Sequence, residues 1–130
     1  GVMDEDFELP QDTAEDKLMV VVHAYTPYSF ALQDAGEEGS KATFDVNDAS
    51  DTQEIDYIMN SLYEKYISQG IPVIIDEFGA RNKLSEDGIN NTQARINYSA
   101  YYIAVARANG IICCWWDNNS FNSEFICNLK

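Results

Sequence analysis

Apolar residues along this chain come in three short blocks, separated by two stretches with helical spacing and two polar loops. Leu18-Met-Val-Val-Val22 is a run of consecutive apolar residues, too short and too valine-rich for a helix, and it reads as a strand over Lys17–His23. Pro27 cannot continue a ladder, so that strand ends in His-Ala-Tyr-Thr-Pro-Tyr28. Residues 29–50 are polar, acidic and glycine-containing and read as a long rim loop. Ser50-Asp-Thr-Gln53 has the form of a capping box. Ile55, Ile58, Met59, Leu62 and Tyr66 follow at helical spacing until Gly70 stops the helix. Val73-Ile-Ile75 is the second strand, β-branched throughout as in strands buried on both faces, and it stops at Asp76 and Glu77. After a polar loop over residues 81–91, a second helix starts at Thr92 or an asparagine before it. Its expected buried stripe is Ile96, Ala100, Ile103, Ala104 and Val105. Gly110 ends it, and Ile111–Trp116 is the third strand.

The order is β-α-β-α-β, with short helix-to-strand turns and long strand-to-helix loops. That asymmetry belongs to parallel α/β folds, whose sites lie at the C-terminal ends of the strands. All of the candidate chemistry falls at that end. Glu77 closes the central strand, where a carboxylate is costly unless it has a task, and it is the candidate catalytic group; a rim carboxylate capping a loop is the plain alternative. Strand alternation then turns Asp76 the other way, toward the helices or the strand end. His23 and Tyr25 share one parity at the end of the first strand. A tyrosine there can hydrogen-bond a carboxylate on the next strand and hold it ionised, as a nucleophile requires. Trp115 and Trp116 alternate faces, so one belongs to the core and Trp116 to the mouth of the site, where an indole offers a flat platform for a sugar ring. Tyr28, Phe30, Asn118 and Asn119 are weaker candidates, explained equally by rim packing and loop capping.

The length of 130 residues fits one domain with a real core. Residues 1–12 are acidic and aperiodic, a tail or entry loop before a domain over residues 13–130. The net charge of −14 argues against nucleic acid as a partner, which needs clustered Lys and Arg. No apolar run is long enough to span a membrane, and no signal-peptide pattern opens the sequence. The three cysteines lack metal-type spacing, and buried free thiols are expected, with a bridge from Cys127 as the alternative. No cofactor is called for.

Three segments, Val22-His-Ala-Tyr-Thr-Pro-Tyr-Ser-Phe-Ala-Leu32, Gly70-Ile-Pro-Val-Ile-Ile-Asp-Glu-Phe-Gly-Ala80 and Gly110-Ile-Ile-Cys-Cys-Trp-Trp-Asp-Asn118, set side by side, resemble the C-terminal part of glycoside hydrolase family five. The likeness is greatest to cellulases and related endo-β-glucanases of anaerobic bacteria. It covers nearly all of the chain after the acidic segment, and Asn82, Lys83 and Arg95 also fall where related sequences often carry them. The resemblance implies the portion of a (β/α)8 barrel equivalent to strands six to eight, and hydrolysis of β-glycosidic bonds with retention. It implies that Glu77 is the nucleophile, that Tyr25 and His23 hold it, and that Trp116, Tyr28, Lys83 and Asn118 meet the substrate. It also implies an extracellular setting and a β-glucan or related polysaccharide as partner. Relatives usually carry Gly where this chain has Asp76.

A barrel of this kind takes ~250 residues, and the family's acid/base Glu, on its fourth strand, has no counterpart here. The chain alone is therefore expected to be inactive, with a non-catalytic carbohydrate-binding module or a structural half-barrel as the alternatives. The former barrel interior, expected to show Met19, Val21, Val73, Ile75, Ile112 and Cys114, needs a cover. Self-association or the missing N-terminal half would supply one.

Overall fold

The computed structural model describes residues 2–14, 16–84 and 87–117. Three strands, β1 (Val20–His23), β2 (Val73–Phe78) and β3 (Ile112–Trp115), form one sheet in the order β1-β2-β3, with both pairs parallel. Two long helices make the crossovers, α2 (Ala49–Lys65) and α3 (Thr92–Ala108); a single helical turn, α1 (Tyr28–Ala31), follows β1. The expected α/β order is thus present, with β1 and β3 shorter than their apolar runs and β2 continuing past its own through Phe78.

The helices start and stop for local reasons. The cap of α2 is Asp48, whose carboxylate accepts from the Ser50 amide at 2.8 Å, so the helix begins ahead of the expected Ser50. Gly70 and Gly110 close the two helical segments at φ +82° and +72°, a conformation that costs glycine least. Ile55, Met59, Leu62 and Tyr66 are buried on α2 as their spacing predicts. The stripe on α3 is different. Arg95, Tyr98, Ser99, Tyr102 and Ala106 are buried, whereas Ile96 and Ile103 are exposed and Ala100 and Ala104 face solvent. Tyrosine rings bury more area than the aliphatics they displace, and their hydroxyls find partners inside.

Both helices cover one face of the sheet, over Val20, Val73 and Ile75. The core is largely aromatic: Tyr98 sits 5.2 Å from Phe30 and 5.4 Å from Phe44, and Phe78 lies flat on Tyr102 at 4.3 Å and 8°. On the opposite face Met19, Val21 and Ile112 are 53%, 47% and 68% exposed, and Cys114 is exposed beside them. The expected open face is therefore right on β1 and β3. It is wrong on β2, where Val73 and Ile75 are buried and Ile74 takes the outer side. Cys113 is half-buried and free, while Cys114 is free but not buried; Cys127 lies outside the described residues.

The rim loop is more ordered than its polarity suggests. Phe30, Ala31 and Phe44 are buried. Asp51 of α2 accepts from Lys41 and, at 2.9 Å, from the Asp45 amide. Arg81 pairs with Asp34. At the other end of the sheet, Val2, Met3, Phe7 and Leu9 pack against the core, and the Tyr66 hydroxyl donates to the Val2 carbonyl. Through these contacts part of the acidic segment lies against the end of α2.

Candidate active site

A one-residue irregularity builds the site. Val22 pairs with Ile75, yet the next residue, His23, pairs with Glu77, so Asp76 is an extra residue on β2. The register to β3 shifts over the same stretch, between Ile75 and Phe78. Such a bulge breaks the two-residue alternation of the strand. Val73 and Ile75 face the helices before it, and Glu77 emerges on the open face after it. Counting parity back from Glu77 without the bulge gives the wrong face for Val73 and Ile75.

Asp76 does not turn away as alternation predicts. Its Oδ1 lies 3.3 Å from His23 Nε2, and its side chain is 40% exposed. His23 Nδ1 lies 3.5 Å from Glu77 Oε2, so one imidazole stands between two consecutive carboxylates. The Tyr25 hydroxyl donates to the same Glu77 oxygen at 2.9 Å. Partial burial, then the hydrogen bond and negative charge of Glu77, push the Tyr25 phenol well above its usual range. It therefore stays a donor at any physiological pH. Glu77 is half-buried, and its side chain meets a phenol and an imidazole at one oxygen, an arrangement that aims the carboxylate.

Of the two tryptophans, Trp115 packs inward, edge-on to Phe78 at 5.4 Å and within 5.8 Å of the Arg95 guanidinium. Trp116 follows the strand, half-buried, its amide donating to the Phe78 carbonyl at 2.9 Å. Tyr28, 60% exposed at the start of α1, stands at the same end of the sheet. Asn118 lies outside the described residues, as does Asn119.

Lys83 has a different place from the one expected of a substrate-binding residue. It is 3% exposed, and its ammonium donates to the Ser29 carbonyl at 2.7 Å, to Ser40 Oγ at 3.1 Å and to the Lys41 carbonyl at 3.1 Å. All three hydrogens are used inside the rim loop, which leaves none for a sugar hydroxyl. We assign Lys83 to the loop. Burial, aided by the nearby Arg81 charge and opposed by Glu37, brings it down to about 8.

Two contributors escaped the sequence reading. The Tyr102 hydroxyl donates to the Ala24 carbonyl at 2.8 Å and the Tyr98 hydroxyl to the Thr26 carbonyl at 3.2 Å, on either side of Tyr25. Their spacing of four on α3 signals one helical face, but nothing in the sequence tells which backbone they reach.

These phenols carry a pH dependence. Burial raises Tyr98 and Tyr102 above the ordinary tyrosine value, as it does Tyr25. In the unfolded chain they ionise near pH ~10; in the fold they keep their protons longer. Their contribution to stability is complete below about pH 10 and is lost as pH rises beyond it. Lys83 acts oppositely, because the fold releases its proton near 8 and the unfolded chain near 10.5, so its share rises across that window. The melting temperature is expected to fall once both lysine states are neutral, above about pH 10.5. Scanning calorimetry across that range checks it, and a level melting temperature would contradict the buried phenols.

Comparison with known proteins places these features in a family. The profile for Cellulase (glycosyl hydrolase family 5) matches residues 2–122. Endoglucanase B of Neocallimastix patriciarum is 42% identical over 118 residues, covering 91% of this chain and 22% of that protein. Endoglucanase 1 of Ruminococcus albus is 44% identical over 111 residues, covering 85% of this chain and 23% of its own length. Among solved structures, a glycoside hydrolase 5 lichenase mutant from Caldicellulosiruptor sp. F32 in complex with cellotetraose superposes with a TM-score of 0.83 at 46% identity. The match covers 96% of this chain and 32% of the lichenase. The chain thus spans between about a fifth and a third of the length of these relatives.

Proposed function

Because the chain belongs to glycosyl hydrolase family 5, we propose that it carries the nucleophile half of a retaining β-1,4-glucanase site. Glu77 is the nucleophile, Tyr25 and His23 hold its carboxylate, and Trp116 and Tyr28 take the sugar. The observation that carries this reading is the convergence of the Tyr25 hydroxyl, at 2.9 Å, and His23 Nδ1, at 3.5 Å, on one oxygen of Glu77. In such a site the carboxylate attacks the anomeric carbon as the leaving-group oxygen takes a proton from a second carboxyl group. The two carboxyls stand ~5–5.5 Å apart across the bond. Asp76 does not fit the second role: it leaves the same strand as Glu77 and is turned to the other nitrogen of the same imidazole. Glu54 accepts from Thr26 Oγ1 at 3.0 Å. Neither carboxylate fills the acid/base role, which this reading assigns to a further part of the polypeptide.

The open sheet face supports the same reading, since Met19, Val21 and Ile112 need a cover. That cover is the remainder of a barrel or a second chain. A polysaccharide substrate cannot cross a membrane, which favours an extracellular site of action. A non-catalytic carbohydrate-binding role rests on one feature, the exposed Tyr28 ring at the end of the sheet where the strands run out.

The chain alone is expected to release no reducing ends from a soluble β-1,4-glucan. Release that rises with the square of chain concentration and disappears in Glu77→Gln would show that a second copy supplies the acid/base. The half-site reading would then be wrong.

A further inference from the structure

We propose that Tyr98 and Tyr102 are positioning residues of the site, acting on Glu77 through the backbone on either side of Tyr25. The proposal deepens the reading of Glu77 and Tyr25 as working parts and rests on it.

The ladder of β1 makes its last bond when the Ala24 amide donates to the Glu77 carbonyl at 3.0 Å. Beyond that point the chain leaves the sheet, while Ala24 and Thr26 remain buried at 6% and 7% exposure. Their carbonyls therefore need donors from outside the sheet. The hydroxyls of Tyr102 and Tyr98 supply them at 2.8 Å and 3.2 Å. Both tyrosines are 0% exposed, and neither can drift to meet the strand, because each ring is fixed by its own packing. Phe78 stacks on Tyr102 at 4.3 Å, and Phe30 and Phe44 hold Tyr98 at 5.2 Å and 5.4 Å. Thr26 is held once more from α2, where its hydroxyl donates to Glu54 at 3.0 Å.

Between these anchored peptides stand the side chains of Tyr25 and Thr26, and the Tyr25 hydroxyl reaches Glu77 at 2.9 Å. Two bonds to flanking carbonyls fix where the Tyr25 side chain starts. A phenol displaced by an ångström or so loses a hydrogen bond of this kind, since the geometry is steep in distance and angle. A helix on the covered face thereby sets the aim of a carboxylate on the open face.

The test reads Tyr25 rather than turnover. Tyrosine labelled with carbon-13 at the ring carbon bearing the oxygen reports hydrogen bonding to a carboxylate at neutral pH. The chain has eight tyrosines, and the Tyr25 signal is assigned by its loss in Tyr25→Phe. Glu77→Gln supplies the reference position, because a neutral acceptor replaces a charged one. In the double variant Tyr98→Phe, Tyr102→Phe, the Tyr25 signal is expected to move toward that reference. Tyr101→Phe is the control: it removes a hydroxyl bond from the same helix, to Asp56 at 2.7 Å, and should leave the Tyr25 signal in place. A double variant that melts earlier with an unmoved Tyr25 signal would overturn the proposal and leave the two hydroxyls a purely structural role. If the double variant does not fold, Tyr98→Phe alone, which removes the longer bond, is judged by the same criterion. Because no step requires hydrolysis, failure here is distinct from failure of the glucanase reading.

Discussion

Glu77→Gln is expected to abolish hydrolysis of a soluble β-1,4-glucan once the chain is completed by the portion of Ruminococcus albus Endoglucanase 1 that precedes its matching segment. The loss should fall on kcat and be on the order of 10⁴-fold or more, as when an enzyme's nucleophile is removed. An amide has nearly the volume of the carboxylate and still accepts from Tyr25, so the sheet and its core have no reason to change. What goes is the negative charge that, in the proposed reading, attacks the sugar, and for which neither His23 nor Tyr25 can substitute. Asp76 cannot stand in either, being turned to His23 Nε2 at 3.3 Å. Initial rates of reducing-end release, with unfolding measured in parallel, decide the matter. A completed protein that keeps its rate with Gln at this position would remove Glu77 from the chemistry.

Phe78→Ala should have the largest effect on stability. The ring is 1% exposed, stacked on Tyr102, edge-on to Trp115, and 6.4 Å from Tyr98. Truncating a phenylalanine in such a place costs about 3–5 kcal/mol, from lost transfer energy and from the cavity left among rigid rings. A domain holds about 5–15 kcal/mol in all, and in this one Met19, Val21 and Ile112 stand exposed on one face of the sheet. The variant is expected to unfold at far lower urea than the parent. Tyr57→Ala, at a ring 70% exposed on α2, should stay within about 0.5 kcal/mol. Equal midpoints for Phe78→Ala and the parent would show that the aromatic layer is not what holds α3 to the sheet.

Much of this was legible in the sequence, for identifiable reasons. β-Branched runs between glycines marked the strands, and Ile55, Met59, Leu62 and Tyr66 marked the inner side of α2, because a long helix buries a stripe. His23, Tyr25, Glu77 and Trp116 fell at strand ends, where a parallel sheet collects its chemistry. The misses also have causes. The bulge at Asp76 involves hydrogen-bond register, which composition does not encode, and it reversed the faces of Val73 and Ile75. Tyr98 and Tyr102 replaced Ile96 and Ile103 in the core because a buried ring with a satisfied hydroxyl outweighs a smaller aliphatic one turn away. Lys83 looked like a surface cation in a polar loop, and only its three oxygen partners place it inside.

The bulge makes this strand end tolerant in number as well as in kind. Position 76 is filled by a residue whose chief structural task is to be one more than the ladder needs. Exchange of Asp76 for another residue keeps the count, and Glu77 still emerges beside His23. Loss of a single residue there would restore the plain alternation, which after Ile75 again turns the next carboxylate to the open face, beside His23. A line of descent could thus vary the neighbour of Glu77 by replacement, or lose it, without turning that carboxylate into the core.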